Sequence, residues 1–267
     1  MRLTSLAIGQ YYPGGSILHR ADPRTKIISA FLYVVVLFLV RGFPALALMA
    51  AGAAAGIAAA GIPLRWLYRG VRPVLFLVAV TFLFQLLLYG GDALWRLGPL
   101  TFYREGALEG GFLALRLLLL LVSSSLLTFT TPPVRLTDAL GRLMAPLARF
   151  RFPAYELALM MTIALRFIPT LLAELDRIIK AQMARGADLA HGGLVRRARN
   201  TLPILVPLFV ISFRHADQLA LAMEARCYRG GRGRTLRQKL RFGWRDALLA
   251  LMIVALLGAS LWLGRLR

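Results

Sequence analysis

At 267 residues, 58% of them hydrophobic, and with a mean hydropathy of +0.67, the chain carries more apolar surface than a soluble core of this size buries. Its 33 Lys and Arg against 12 Asp and Glu give a formal charge of +21, but the basic residues alternate with runs that approach membrane-spanning length, which points to an integral membrane protein rather than a soluble nucleic-acid binder. One cysteine, Cys227, excludes an internal disulfide and a cysteine-based metal site, and the N-terminal stretch MRLTSLAIGQYYPGG lacks the apolar core of a signal peptide, so the first hydrophobic helix is expected to direct insertion.

The first expected span covers 27–40 and follows Asp22-Pro23, an N-cap with proline at the first helical position. The second, 45–60, is rich in Ala and Gly, which suits close helix packing within a bilayer. A third runs over about 74–89, a fourth over about 108–129 and a fifth over 247–262. Several of these apolar runs fall short of the ~20 residues that cross the hydrocarbon, so the helices are expected to extend into their flanks. His19, Arg20, Arg24 and Lys26 precede the first span and Arg65, Arg69 and Arg72 lie between the second and third, which orients the N-terminus to the cytoplasm. With five spans the C-terminus, carrying Arg265 and Arg267, falls outside, in mild conflict with that rule.

Between the fourth and fifth spans the texture changes. Pro132 and Pro133 end the fourth helix, since neither donates a backbone hydrogen bond. Leu136, Ala139, Leu140, Leu143 and Leu147 then recur at helical spacing with Arg135, Arg142 and Arg149 elsewhere, the pattern of a short amphipathic helix. Two long helices follow, about 154–185 and 202–226, bent by Pro169 and by Pro203 and Pro207. They start apolar and end charged, so they lie along the membrane or dip into it. About twenty basic residues place the segment in the cytoplasm. The predicted divisions are a four-span membrane domain at 1–131, a cytoplasmic helical domain at 132–245 and a final transmembrane helix at 246–267.

The two long helices end alike, in AQMARG (181–186) and AMEARC (222–227). Leu172, Leu175, Ile179 and Met183 mark an apolar stripe on the first, and Phe209, Phe213, Ala216, Ala220 and Met223 on the second; Arg185 and Arg226 fall off these stripes, each with an alanine one turn earlier. Small neighbours let another surface approach a guanidinium, whose planar fork pairs bidentately with a carboxylate or caps a partner helix. The plainer alternative is a basic residue meeting the negative end of its own helix dipole, with Gly186 as left-handed cap. Two copies in one segment favour a shared docking role.

AQMARG and AMEARC resemble the paired Ala-Arg-Gly motifs of the transmembrane T component of energy-coupling factor transporters, prokaryotic importers of vitamins and metal ions. GQYYPGGSILHRADPRTK at 9–26 is similar to that family's N-terminal signature, TTPPVRLTDALGRLMAPL to its first coupling helix, and ALRFIPTLLAELDRI to the run before its first Ala-Arg-Gly. The resemblance covers nearly the whole chain and departs at Cys227, where the family usually has glycine. It implies an all-α integral membrane scaffold of about five spans plus three cytoplasmic coupling helices, which binds no cofactor or metal of its own. The scaffold would join two cytoplasmic ABC-type ATPases to a small membrane-embedded substrate-binding subunit. Ala184, Arg185 and Gly186, with Ala225, Arg226 and Cys227, would dock the ATPases. The resemblance also implies a multi-pass protein of the prokaryotic plasma membrane, with ATP hydrolysis left to its partners. Met144, Met160, Met161, Met183 and Met223 suit an interface with the substrate-binding subunit, because unbranched thioethers repack against varied surfaces; ordinary helix packing is the alternative for each.

Other features carry less. GGRGR at 230–234 lacks the Gly-Lys-Ser/Thr ending of a phosphate loop and reads as a basic linker. His19, His191 and His215 are too dispersed for a metal site. Glu109 and Arg116, two turns apart, form a candidate intramembrane pair, and Ser123 to Ser125 are expected to bond to backbone or to neighbouring helices. Two rivals remain: a membrane enzyme using Glu109 or Glu156 as general base, and a membrane-anchored binder of nucleic acid or acidic lipid using Arg196 to Arg199 and Arg226 to Lys239. The sequence names no transported substrate, since selectivity in the resembled family belongs to another subunit.

Overall fold

The structure, a computed structural model, describes residues 11–88, 90, 92–97, 100–150, 152–187, 193–230 and 243–265. In chain order the helices are α1 (Ile17–Arg20), α2 (Pro23–Leu39), α3 (Phe43–Ala60), α4 (Leu64–Leu88), α5 (Arg104–Thr130), α6 (Pro133–Leu143), α7 (Ala154–Ala184), α8 (Leu194–Ala225) and α9 (Trp244–Arg265). A 3-10 segment, Ala145–Phe150, follows α6, and an antiparallel hairpin, β1 (Ala93–Leu97) with β2 (Leu100–Tyr103), links α4 to α5. The molecule is a helical membrane protein, as its composition predicts; the hairpin is a small addition to that plan.

The chain divides into two compact units. One contains Gly9–Leu136 and Lys239–Arg267; the other contains Thr137–Gln238. In the first, α2, α3, α5 and α9 pack around Leu37, Val40, Leu46, Met49, Leu119 and Leu257, all buried. The hydroxyl of Tyr33 donates to the Met49 carbonyl at 2.9 Å, so its polar tip is satisfied inside this apolar core. Helix α2 starts where its sequence signals: the Asp22 side chain accepts from the Arg24 N–H at 2.9 Å, with Pro23 at the first helical position. Helices α4 and α5 run antiparallel and very close. A Cβ on Gly106 would collide with the backbone carbonyl oxygen of Gln85, so only glycine admits this approach.

Two basic residues bind α2 to α5. The Lys26 ammonium in the first turn of α2 donates to the carbonyl of Thr130, the last residue of α5, at 3.1 Å and to the Thr131 hydroxyl at 3.2 Å. In return, Arg116 of α5 donates through Nη2 to the carbonyl of Val40, the C-cap of α2, at 2.7 Å. Each helix thus supplies a cation to the terminal carbonyls of the other, groups with no acceptor role left in their own helix.

Two expectations change. Helix α4 begins at Leu64, ten residues before the expected start, so Arg65, Arg69 and Arg72 sit on a helix with Pro73 inside it rather than in a loop. The hydropathy run marks only the apolar part of a helix whose first turns are polar. Among the described residues five helices are long and apolar enough to cross a membrane: α3, α4, α5, α7 and the Arg199–Ala225 part of α8. Helix α2 has 17 residues, while the two long helices, expected to lie along the membrane or dip into it, meet the criterion.

Candidate functional site

The unit containing Thr137–Gln238 is built on the pairing of α7 with α8. Phe167 stacks on His215 with ring centroids 6.1 Å apart, and the Gln182 side-chain amide donates to the Pro203 carbonyl at 3.3 Å. A later residue of α7 meets an earlier one of α8, so the helices are antiparallel and their C-terminal ends lie at opposite ends of the pair. With α8 residues near 200 level with Arg185, a rise of 1.5 Å per residue separates Arg185 from Arg226 by roughly 40 Å along α8.

Both ends close the same way. After α7, the N–H of Gly186 donates to Met183 O and that of Ala187 to Gln182 O, each at 3.0 Å; after α8, the N–H of Cys227 donates to Glu224 O at 2.8 Å and that of Tyr228 to Met223 O at 3.0 Å. This is the Schellman arrangement, in which the residue after the C-cap turns left-handed. Gly186 has φ 84°, and Cys227, with φ 55°, is the non-glycine residue with positive φ among the described residues. The departure from glycine at Cys227 therefore leaves the capping geometry intact. It does so at a cost, because a Cβ in the left-handed region crowds the following carbonyl by ~1–2 kcal/mol.

The caps also bear on the two readings of the arginines. Backbone N–H groups occupy the carbonyls of Gln182, Met183, Glu224 and, again, Met223, so the guanidiniums are not needed there. Arg185 and Arg226 are exposed, as are Ala181, Ala184, Ala222 and Ala225 one turn or less behind them. Among the described residues neither guanidinium has a hydrogen-bonding or ion-pair partner. By contrast Arg177 bonds Glu174 at 2.9 Å, and Lys180 pairs with Asp176, one turn before the first of these ends.

The apolar faces are largely open. Phe209, Phe213, Ala216 and Ala220 of the expected α8 stripe are exposed and Met223 is half-buried, while on α7 Leu172, Leu175 and Ile179 are half-buried and Met183 is exposed. Of the five methionines, Met160, Met161 and Met183 are exposed and Met144 and Met223 are half-buried. Within this helix pair Ala154, Ile178 and Ile204 are buried. The period of the sequence alone does not separate Ile178 from its neighbours. Nor did it signal Gln182, which reaches across to Pro203, or Tyr228, which closes the second cap.

The polar groups of the enzyme rival do not converge. Glu109 and Glu156 are exposed, and Arg116 lies over the Phe112 ring at 4.6 Å and donates to Val40 instead of pairing with Glu109. Ser123 bonds the Leu120 carbonyl in its own helix at 2.9 Å. His19 is buried and bonded through its ring to Ser16 and to the Tyr12 carbonyl. Among the described residues no His, Cys, Asp and Glu group could hold a metal ion. His191, most of the 230–234 linker and of the basic stretch to Lys239, and the side chains of Arg196 and Arg197 lie outside the described residues.

Residues 14–236 match the CbiQ family, described as a cobalt transport protein. The chain is 50% identical over 254 residues to the energy-coupling factor transporter transmembrane protein EcfT of Acidaminococcus fermentans, with 95% of each chain covered. It is 47% identical over 263 residues to the protein of that name from Thermosediminibacter oceani, covering 98% of this chain and 99% of the relative. With the Bacillus subtilis protein of the same name it shares 41% identity over 255 residues, covering 95% and 96%.

Proposed function

Because this chain belongs to the CbiQ family and is a transmembrane component of the energy-coupling factor transporter type, we propose that it is the scaffold through which two cytoplasmic ABC-type ATPases drive a membrane-embedded substrate-binding subunit. The observation that carries this reading is the matched pair of exposed arginines, unpartnered among the described residues, at opposite ends of the antiparallel α7–α8 pair. A separation of roughly 40 Å is too long for one binding groove and suits one arginine per ATPase. Each guanidinium sits on a rigid cap beside an alanine, so a partner's carboxylate or helix C-terminus can meet it bidentately.

The open stripe of Phe209 and Phe213 and the exposed Met160, Met161 and Met183 offer apolar surface to the bilayer or to the substrate-binding subunit. The cargo is a vitamin or metal ion selected by that subunit. In this reading the unit containing Thr137–Gln238 acts at the cytoplasmic side of a prokaryotic plasma membrane, and ATP is hydrolysed by the partners. The test is co-purification and ATP-driven uptake with Arg185→Ala and Arg226→Ala, singly and together; a double variant that assembles and transports like the wild type would sink the docking role.

A further inference from the structure

Thr137–Gln238 joins the rest of the chain at its two ends, after Leu136 and before Lys239. Thr130 and Thr131 before the first end, and Gly243, the first described residue after the second, are all bonded into a network at one turn of α2. At the first, the carbonyl of Thr130 and the hydroxyl of Thr131 accept from the Lys26 ammonium at 3.1 and 3.2 Å, and both threonines are fully buried. At the second, the Asp246 carboxylate bridges two backbone N–H groups: Oδ2 accepts from Gly243 at 2.8 Å, just before α9, and Oδ1 accepts from Asp22 at 2.6 Å, just before α2. Asp22 and Lys26 are four residues apart, about 6 Å along a helix.

The junction is buried and charged. Lys26 is 6% exposed and Asp22 and Asp246 are each 5% exposed. Charges persist at such burial when each has opposite charge and hydrogen bonds nearby, so removal of one member disturbs the others. The buried core shared by α2, α3, α5 and α9 lies farther along these helices, and packing beside the ties is incomplete. An apolar cavity of about 320 Å³ adjoins them among α2, α3, α5 and α9, lined by Lys26, Ser29, Gly52, Thr130, Leu249 and Leu256. Tightly interdigitated helices transmit displacement through side-chain contact, and here that contact is partly missing.

We propose that Lys26 and Asp246 are positioning residues that tie both roots of the Thr137–Gln238 segment to the first turn of α2, so that displacement of that segment reaches α2, α5 and α9 together. The inference rests on the coupling role proposed above and specifies where within the membrane unit the motion arrives. Without the ties, the roots would be coupled through the more distant apolar core alone, and part of the displacement would be absorbed beside the cavity.

The experiment uses the assembled complex of this chain, both ATPases and the substrate-binding subunit in lipid nanodiscs. Hydrogen exchange is followed with and without ATP and orthovanadate, alongside ATP hydrolysis. In the wild type, trapping the nucleotide should change exchange in Thr137–Gln238 and also in α2, the end of α5 and the start of α9. Lys26→Met and Asp246→Ala should hydrolyse ATP within about twofold of wild type and keep the change in Thr137–Gln238, while the change in α2 and α9 falls at least about fivefold. Asp246→Asn, which keeps an oxygen acceptor for the Asp22 N–H, should keep most of it. A role in folding alone would raise exchange regardless of nucleotide, and that result overturns the proposal, as do wild-type changes in α2 and α9 in both tie-breaking variants. Should these fail to assemble, Asp246→Glu displaces the acceptor by one methylene: a weakened response in α2 with normal hydrolysis supports the proposal, and an unaltered response overturns it. A wild-type chain that captures no ATPase would instead remove the coupling role itself.

Discussion

Cys227 at the end of α8 takes the left-handed backbone position that Gly186 takes at the end of α7, with φ 55° and 84° respectively and the same pair of cap hydrogen bonds on either side. Arg226 and Arg185, one residue earlier, have nearly the same backbone angles, with φ −93° and −84° and ψ 15° and 7°. The cap, rather than the identity of the residue that forms it, sets how each arginine leaves its helix.

Cys227→Gly should therefore strengthen the end of α8. It relieves the Cβ crowding and adds some entropy to the unfolded chain, for a net gain of up to about 1 kcal/mol. Slower hydrogen exchange at the Tyr228 amide, with ATPase association unchanged, is the expected reading. Gly186→Val should do the reverse at the end of α7 and weaken association on that side.

Arg185→Ala and Arg226→Ala should each weaken ATPase binding at least about tenfold, the loss expected when one member of a desolvated charge pair is truncated at an interface. Because both side chains are exposed and, among the described residues, unpartnered, the thermal midpoint of the detergent-purified subunit should not move. Lysine at either position should restore little, since a point charge does not reproduce a planar fork. Affinity of the purified ATPases for immobilised subunit measures the first and third of these, and thermal unfolding of the subunit alone measures the second.

Gly106→Ala forces its new Cβ against the Gln85 carbonyl oxygen, and backbone cannot swing aside as a flexible side chain can. The α4–α5 hairpin should open, with a loss of about 1–3 kcal/mol. A lower thermal midpoint and faster exchange at the end of α4, with the α7 and α8 caps unaffected, would identify this cause.

Arg116→Leu leaves the Val40 carbonyl, now bonded at 2.7 Å, without its donor in an apolar setting, at a cost of about 1–3 kcal/mol. Arg116→Gln keeps a donor on a shorter stem and should recover part of that loss. An equal drop in thermal midpoint for both variants would assign the role of Arg116 to packing against Phe112 instead.

Local features were the most legible in the sequence. Asp22-Pro23 marked the start of α2, Pro132-Pro133 marked the break after α5, and the ends of α7 and α8 fall where the repeated motif put them. Where hydropathy had to stand for structure, the outline blurred: Arg65, Arg69 and Arg72 read as a loop because a helix that enters a bilayer can begin with polar turns. Gly98-Pro99 between two short apolar runs was the available sign of the hairpin, and it is a weak one at such length. The bond from Asp22 to Asp246 spans 224 positions, so no periodicity announces it. Of the candidate site, the two arginines and their alanines were legible; their opposite placement was not, because it follows from the pairing of Gln182 with Pro203 and of Phe167 with His215.

The thin interior of the α7–α8 pair bears on the life of the subunit in the cell. With little beyond Ala154, Ile178 and Ile204 buried among the described residues, the pair does not cover Phe209 or Phe213 by itself. If the substrate-binding subunit covers those rings as proposed, a copy without it leaves them to the bilayer or to membrane chaperones and proteases. Abundance of the scaffold would then be set by the supply of its companions, with surplus chains removed as orphans.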